Sequence, residues 1–487
     1  MGRNRRRLIS IALMMMAVMQ AVADVGETAW PDLPLLSIVT KDSVMPSRTV
    51  VEAPEGCLGT SITDNKYVQG RMVMTLGSDT LYDSGEYIRN ESGMRIKIRG
   101  NSTGAFSEQL PYRIELSKES DLLMRSDNNL LHKDWVLLMT YVWNPKLSNS
   151  QSNLLNAVGT IVSHAVEKEW TQQWQFVNVV INGSYQGLYY LLEPVSQGKG
   201  RVDVSETGFL IEYDPFWWNE DGFYFKSEHQ PYTYSYTYRY PDKDYITDST
   251  QSAIQSYIND FEKALYDGGD PIQYIDLASF AKWVLAHDIL GTDDDAGCNK
   301  YLYKNNLLPD DSLSSKLCMG PLWDFDSSFR ISNLKWSSQH TMEEFYYSRL
   351  FEQEAFVEAY VDQWLKIRPT LLDSLQASFN EIGKRYSTSF DESIKMQMTL
   401  GLKYQRQKLL STQISEIMRL LTARVSAIDN LMMEFDYYRC GISDVSQQKY
   451  VPRVYSLHGY VLGGGNNRSP GIYLYRSADG SVRKRLK

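Results

Sequence analysis

The first half of the chain alternates between apolar and polar positions, the pattern of strands with one buried face. Residues 94–99 read Met-Arg-Ile-Lys-Ile-Arg, and residues 111–116 contain a similar run. The clearest hairpin lies further on, where the β-rich runs 176–181 and 185–192 flank an Asn-Gly pair. Asn-Gly between such runs favours a tight turn, because both residues tolerate positive φ. These segments predict a β-rich part over residues 36–240.

The second half repeats its apolar residues every three or four positions, which predicts amphipathic helices. One stripe begins after Asp276, a residue type that caps helix N-termini, and the longest covers residues 414–431. We therefore predict an α+β fold in which a helical part, 241–435, follows the β-rich part, an order that two lobes would satisfy. Short β runs in residues 447–487 predict a small C-terminal β module.

The N-terminus has the three parts of a secretory signal peptide. Arginines stand at its start, an apolar run covers residues 8–22, and Ala-Val-Ala occupies residues 21–23. A membrane anchor is the alternative, but the run is shorter than the about 20 residues that span a bilayer. We predict cleavage near Ala23 and a tether over residues 24–35. No later run is apolar enough to cross a membrane, so we expect the mature protein in the periplasm, at the cell surface or outside the cell.

The net charge and the cysteines indicate which partners and cofactors the chain is expected to bind. The formal net charge is −9, whereas nucleic-acid binding depends on a basic surface, so we expect no nucleic acid. The chain contains 4 cysteines, and export permits disulfides. Cys298 and Cys318 could pair or remain buried thiols. The cysteine spacing matches no zinc pattern.

Acidic residues cluster in two short segments of the helix-rich half. Phosphoryl transfer needs a carboxylate that orients the attacking hydroxyl, oxygen ligands for a divalent ion and a cation for the phosphate oxygens. Asp294 and Asn299 are separated as in a protein-kinase catalytic loop, and Asp324 precedes Phe as a metal-holding Asp does. Such oxygen ligands suit Mg²⁺ or Mn²⁺. The alternatives are an acidic helix end at 293–295, a surface turn at 324–326, or a Ca²⁺ site.

An ordered set of motifs runs along the chain. The motifs are Arg-Gly-Asn-Ser-Thr at 99–103, Pro-Tyr-Arg at 111–113, Asp-Trp-Val-Leu-Leu at 134–138, Ile-Asn-Gly-Ser-Tyr-Gln-Gly-Leu-Tyr at 181–189, Glu193, and Gly-Pro-Leu-Trp-Asp-Phe-Asp at 320–326. None is decisive alone, but the set resembles the spore-coat CotH family of kinase-like proteins and keeps the family's order over about residues 36 to 435. The layout looks most like the Bacteroidetes branch, whose members are exported.

The resemblance implies an atypical, two-lobed protein-kinase-like fold that binds ATP and Mg²⁺ or Mn²⁺ and phosphorylates a protein substrate. It also implies a role for individual residues of this chain. By that resemblance Asp294, or a neighbour in its triple-Asp run, is the catalytic residue. The metal ligands are Asn299 and Asp324, with Asp326 as an alternative. Glu193 aligns a basic residue, Arg113 contacts phosphate, and Lys97 and Lys226 are weaker candidates for that contact.

The sequence departs from the family pattern at basic positions. Gln109 and Leu110 stand where the family often has two lysines, and Arg239 stands where a Lys commonly precedes Tyr-Pro. Residues 143–149 also lack the usual Asp, Arg and Asn order. Arg does not simply replace Lys where a compact point charge is needed. Loss of cations weakens nucleotide binding more than it disturbs a fold.

Two hypotheses of different classes follow from these observations. The first is a secreted ATP-dependent protein kinase acting on hydroxyls of envelope proteins. The second is a surface or envelope binding protein on a kinase-like scaffold without turnover, with the aromatic segment 223–240 as a contact surface. A metal-dependent transferase of another group is a third, minor option. Residues 447–487 also resemble terminal modules of exported Bacteroidetes proteins, some of which are secretion-sorting signals; the alternative is a simple β appendage.

Overall fold

The computed structural model describes residues 30–140, 152–231, 233–292, 299–307, 315–329, 345–400 and 408–435, and the backbone of three strands beyond them. The predicted signal peptide, Asp294 and Cys298 therefore lie outside the described residues. The chain divides into two compact units, Met1–Ile428 and Asp429–Lys487.

Within the described part of the chain, seven strands close into a barrel. The hydrogen-bonded order is β1-β9-β10-β8-β7-β6-β4, and β4 returns to pair with β1. β5 extends the sheet beyond β4, while β2 and β3 form a separate hairpin. The strands are β1 (Leu35–Thr40), β2 (Thr49–Glu52), β3 (Thr60–Thr63), β4 (Val68–Leu76), β5 (Asp79–Asp83), β6 (Met94–Ile98), β7 (Tyr112–Ser120), β8 (His132–Met139), β9 (Trp174–Ile181) and β10 (Ser184–Leu192).

The alternating pattern of β6 fills the barrel interior. Met94, Ile96 and Ile98 are buried, because successive side chains of a strand point to opposite faces. The register pairs Ile96 with Ile114 of β7, and Ile114 with Trp135 of β8. Burying apolar side chains from neighbouring strands in one layer removes them from water and fixes the strand register. The intervening polar residues of β6 face the other side, where a cleft lies.

The predicted hairpin is confirmed as β9 and β10. Its turn residues, Asn182 and Gly183, have φ of 51° and 78°, the left-handed conformation that this type of turn needs. The Asn182 side chain also accepts a hydrogen bond from the backbone N–H of Thr40 at 2.9 Å. The turn therefore also holds the end of β1 in place. β1 pairs in parallel with β9, and this pairing is one of the contacts that close the barrel.

A second sheet and the helices complete the first unit. The sheet order is β12-β13-β11-β14-β15. Its strands are β11 (Phe209–Asp214), β12 (Tyr224–Phe225), β13 (Ser235–Tyr240), β14 (Lys300–Lys304) and β15 (Cys318–Met319). The helices are α1 (Ser102–Phe106), α2 (Leu155–Ala165), α3 (Asp248–Tyr266), α4 (Leu277–Leu290), α5 (Tyr347–Leu350), α6 (Glu354–Ile367), α7 (Leu371–Thr399) and α8 (Leu410–Met432).

The helix predicted after Asp276 is confirmed as α4, the central helix of this layer. The Asp276 carboxylate accepts a hydrogen bond from the backbone N–H of Ser279 at 2.7 Å and so caps the N-terminus. Nearly every residue from Ser279 to Leu290 is buried, since α4 packs against α2, α6 and β15. A helix that is apolar on all sides belongs to the core.

The α+β class is confirmed, whereas the closed barrel was not part of the predicted two-lobed architecture. Barrel closure joins β1 to both β4 and β9, and a local pattern of residues does not encode such distant pairing. No helix among the described residues is long and apolar enough to cross a membrane. In the second unit, β16 (Val454–Tyr455), β17 (Ile472–Arg476) and β18 (Val482–Leu486) form an antiparallel sheet.

Candidate functional site

A cleft of about 610 Å³ lies between the barrel and the second sheet. Small-molecule sites typically occupy about 300–1,000 Å³. Three groups of polar residues border the cleft. The barrel contributes Lys97, Arg99 and Arg113, the second sheet contributes Glu212, Asp214 and Arg239 with the nearby Glu220, and the chain around β14 and β15 contributes Asn299, Tyr301, Trp323, Asp324 and Asp326.

The pairing of β14 with β15 brings Asn299 and Asp324 to one end of the second sheet. Leu302 lies opposite Met319, and the backbone N–H of Gly320 donates to the carbonyl of Tyr301 at 2.7 Å. Because the strands are antiparallel, the residue before β14 and the segment after β15 emerge at the same end. Both residues adopt left-handed backbone conformations, with φ of 58° and 59°, which Asn and Asp tolerate better than most residue types.

Helix α2 contacts the Asp-Phe-Asp segment at residues 324–326. The side-chain oxygen of Asn156 accepts a hydrogen bond from the backbone N–H of Phe325 at 3.3 Å. The buried Phe325 ring packs directly against Gly159, where a Cβ atom would collide with it. These contacts hold the residue between Asp324 and Asp326 at both its backbone and its side chain.

The carboxylates of Asp324 and Asp326 also border a second, smaller cavity of about 20 Å³. Its other lining groups include Thr140, Asn153 and Asn156. A polar cavity of this size has room for about one water molecule. Asp324 is half-buried and Asp326 is buried, so both carboxylates lie at the boundary between protein and cleft.

The chemistry of these oxygen donors fits a divalent ion that is shared with phosphates. Mg²⁺ commonly uses one or two carboxylates and completes its shell with waters and substrate phosphates. Across the described ranges, no group of three or more His, Cys, Asp or Glu side chains could hold a metal ion by itself. Asn299, Asp324 and Asp326 offer one amide and two carboxylates, and such a set leaves positions of a divalent ion to waters and phosphates. Asp294 lies outside the described residues.

Arg99 borders the same cleft as Asp324 and Asp326, although no role for it was predicted from the sequence. Its guanidinium lies 5.8 Å from the centre of the Trp323 ring. Burial lowers the pKa of Arg99, and the negative charge of Asp324 opposes that shift. No hydrogen bond from this guanidinium occurs within the described part of the chain. Arg99 therefore retains donors for an anionic group in the cleft.

Arg113 and Lys97 lie opposite each other on β7 and β6. The guanidinium of Arg113 donates twice to Asp134, at 2.8 and 2.9 Å. Burial is the largest single effect and opposes its charge, but Asp134, Tyr67 and Glu115 together raise the pKa of Arg113. The ammonium of Lys97 lies 4.9 Å from the Tyr67 ring centre, and burial, followed by the neighbouring Arg113, lowers the pKa of Lys97. These residues give the barrel side of the cleft a positive charge.

Arg239 is surrounded by carboxylates on the opposite side of the cleft. Its guanidinium approaches Glu212 at 2.8 Å, Glu220 at 3.1 Å and Asp214 at 3.4 Å. Burial, then the charge of Glu212, raises the pKa of Asp214 to about 7, and Arg239 opposes the rise. The cluster therefore contains more acidic groups than its arginine can neutralise.

Two residues with predicted roles lie elsewhere among the described residues. Glu193 is fully buried and accepts hydrogen bonds from Arg125 at 2.6 Å and from the backbone N–H of Gln173 at 2.9 Å. The ammonium of Lys226 lies 3.6 Å from the ring centre of Trp217. Neither side chain borders the cleft. The basic residue that contacts Glu193 is Arg125, which comes from the connection before β8.

We predict that Gly159→Ala destabilises the protein by about 1–3 kcal/mol, because the added methyl group overpacks the Phe325 contact. Denaturant unfolding measures the change. The matched control is Gly383→Ala on α7, where the new Cβ would lie 3.3 Å from a single methyl group of Ile414. Ala is favoured over Gly in helices by about 1 kcal/mol, so the control is expected to be neutral or stabilising. Equal effects of the two substitutions would contradict the packing argument.

Asp214→Asn is predicted to stabilise the protein progressively as the pH rises from 4.5 to 7.5. Between the ordinary pKa of 3.8 and about 7, folded Asp214 holds a proton that the unfolded chain has released. Its contribution to the free energy of unfolding therefore falls as the pH rises through this window. Thermal midpoints of variant and wild type at several pH values test the prediction.

The control for this experiment is Asp83→Asn. The hydrogen bond with Arg71 lowers the pKa of Asp83, so its titration lies below this pH range. The difference in thermal midpoint between this control and the wild type should stay constant. A constant difference for Asp214→Asn as well would show that Asp214 does not titrate in the predicted window.

A comparison with family models gives an independent view of the same residues. A search of curated proteins found no match. The model described as CotH kinase protein matches residues 96–419, more than half of the chain, and this range contains Arg99, Asn299 and Asp324. The match confirms the family resemblance drawn from the sequence motifs. The chain belongs to the CotH kinase protein family.

Proposed function

We propose that the chain transfers the γ-phosphate of ATP to hydroxyl groups of proteins with the help of Mg²⁺ or Mn²⁺. The main support for this proposal is that Asn299, Asp324 and Asp326 border the same cleft as the positively charged residues of the barrel. Membership of a kinase family supports the reaction class. The barrel on one side and the second sheet with its helices on the other support a two-lobed, kinase-like interpretation.

The proposed ligands of the divalent ion are Asn299 and Asp324, with Asp326 as a further carboxylate. When bound, the ion neutralises charge on the phosphate oxygens. Asp294, in the run that precedes Asn299, is the proposed catalytic residue. It would accept the proton of the substrate hydroxyl while that oxygen bonds to the γ-phosphorus and the bond to the leaving ADP oxygen breaks.

Arg99 is the residue that we propose to contact the phosphates. Arg113 was the first candidate by family resemblance, but its guanidinium already donates twice to Asp134. Arg99 keeps its donors and lies in the same cleft, and the charge of Asp324 raises its pKa against the effect of burial. Lys97 and Arg113 contribute positive potential along the barrel side. Lys226 and Glu193 have no part in this proposal, because their side chains are engaged outside the cleft.

The alternative function is a kinase-like binding protein without turnover. The Arg239 cluster favours it, because the cation in the position of the family's usual lysine is bound by three carboxylates. Such an arginine has little capacity left for phosphate. Both functions fit an exported protein of the Bacteroidetes type, with a signal peptide over residues 1–23, a tether over 24–35 and a sorting tail or β appendage over 447–487.

Asp324→Ala is predicted to weaken the binding of ATP with Mn²⁺ at least about a hundredfold, which corresponds to about 2.8 kcal/mol. The reason is the loss of a carboxylate ligand at the centre of the proposed metal site. Isothermal calorimetry measures the affinity, and Asp83→Ala, which removes an exposed carboxylate paired with Arg71 on β4, is the control. Unchanged affinity in the Asp324 variant would refute the site. Absence of binding by the wild type at millimolar nucleotide would favour the alternative function.

Arg99→Met and Arg113→Met separate the two candidate phosphate contacts. A hydrogen bond to a charged group contributes about 1.5–3 kcal/mol, so the Arg99 variant should lose roughly 10- to 150-fold in ATP affinity. The Arg113 variant should lose only a few-fold, because it removes positive potential but no proposed contact. Calorimetry at constant Mn²⁺ gives both values. The reverse order would return the phosphate contact to Arg113.

A further inference from the structure

Lys168 is a buried lysine in the loop that follows α2, outside the candidate site. Its side chain is 1% exposed. The ammonium donates to the carbonyl of Met319 at 2.7 Å and to the carbonyl of Ser279 at 3.3 Å, and it pairs with Glu169 at 3.0 Å. A lysine ammonium has three N–H donors, so these three partners satisfy it.

The partners of Lys168 belong to the two elements that lead into the candidate site. Met319 ends β15, and Gly320 begins the segment that reaches Asp324. Ser279 lies in the first turn of α4, and its hydroxyl accepts a hydrogen bond from the backbone N–H of Met319 at 3.1 Å. Lys168 therefore joins the start of the Asp324 segment to α4 through one charged group.

Contact with Lys168 also explains the glycine at position 320. A Cβ atom there would lie 3.0 Å from both the Cε and Nζ atoms of Lys168, and the φ of Gly320 is 116°. The lysine tip thus lies directly against the backbone. The far end of the same segment is held by α2, through Asn156 and Gly159 at Phe325. Residues 320–324 are fixed at both ends by α2 and the loop after it.

We propose that Lys168 is a positioning residue that sets the location of the Asp324 carboxylate in the cleft. The expected effect of Lys168 on metal and nucleotide binding rests on the proposed function. The statement that Lys168 orders residues 319–326 does not depend on that function. The titratable groups facing the ammonium are Glu169, Lys282 and the neutral Cys318 thiol, and burial lowers the pKa of Lys168 below its usual value.

The test compares Lys168→Met with Lys282→Met. Both substitutions remove a cation from Glu169, which Lys282 binds at 2.7 Å, but only the first removes the donor to Met319. Glu169 is 39% exposed and keeps one partner in either variant, so neither leaves a buried unpaired carboxylate. Hydrogen exchange of a peptide covering 319–326 should accelerate at least tenfold in the Lys168 variant and stay unchanged in the control.

Affinity for ATP with Mg²⁺ is the second measurement, made from pH 7 up to 10.5, the ordinary pKa of lysine, because burial lowers the pKa of Lys168 below that value. The Lys168 variant should bind at least tenfold more weakly at pH 7, and its affinity should not vary with pH in the alkaline range. Wild-type affinity should fall there as the ammonium loses its proton. The proposal would be overturned if the Lys168 variant bound ATP as tightly as the wild type and with the same pH dependence. A residue that contributes only to stability would leave the affinity and its pH dependence unchanged at temperatures well below unfolding.

The two proposals fail in different ways. If the wild type binds no nucleotide, the proposed function fails, and the exchange of 319–326 alone decides whether Lys168 orders the segment. Equal exchange in both lysine variants would overturn the positioning role whatever the nucleotide result. Should Lys168→Met not fold, Lys168→Gln keeps a neutral donor near Met319, and its 319–326 peptide is expected to exchange at a rate between those of wild type and an unprotected segment.

Discussion

The antiparallel pairing of β14 with β15 is the constraint on which the candidate site depends. It places Asn299 and Asp324 at one end of the second sheet, although they are 25 positions apart in the sequence. β14 also pairs with β11, so that Tyr301 lies opposite Glu212. A shift of one residue in this register would exchange the two faces of β14 and separate the acidic cluster from the metal ligands. The site is therefore a property of the sheet register more than of any single loop.

Much of the fold could be predicted where the signal is local. The alternation in residues 94–99, the Asn182 turn and the Asp276 cap each act within a few residues, and each predicted the element found there. Closure of the barrel had no such signal. It depends on β1 pairing with β4 on one side and with β9 on the other. Strands that are far apart in the sequence have no common pattern of residues that would identify them as partners.

The candidate site shows the same division. Asn299, Asp324 and Asp326 could be found from spacing and from the family motif, and they border one cleft. The basic residues could not be ranked, because rank depends on partners contributed by other strands. Asp134 of β8 accepts hydrogen bonds from the guanidinium of Arg113, whereas the Trp323 ring contacts Arg99 and leaves its N–H donors available. Glu193 follows β10 in sequence, but its partner Arg125 comes from the connection before β8.

The double pairing of β1 also has a consequence for the order of folding. β1 can join β4 as soon as residues up to 76 are free to fold, but its other edge has no partner until residues up to 181 are free as well. An unpaired strand edge with buried-type side chains such as Leu36 and Ile38 is open to wrong strand partners. Until β9 is free to pair, this edge of β1 is therefore the segment that a chaperone would need to cover.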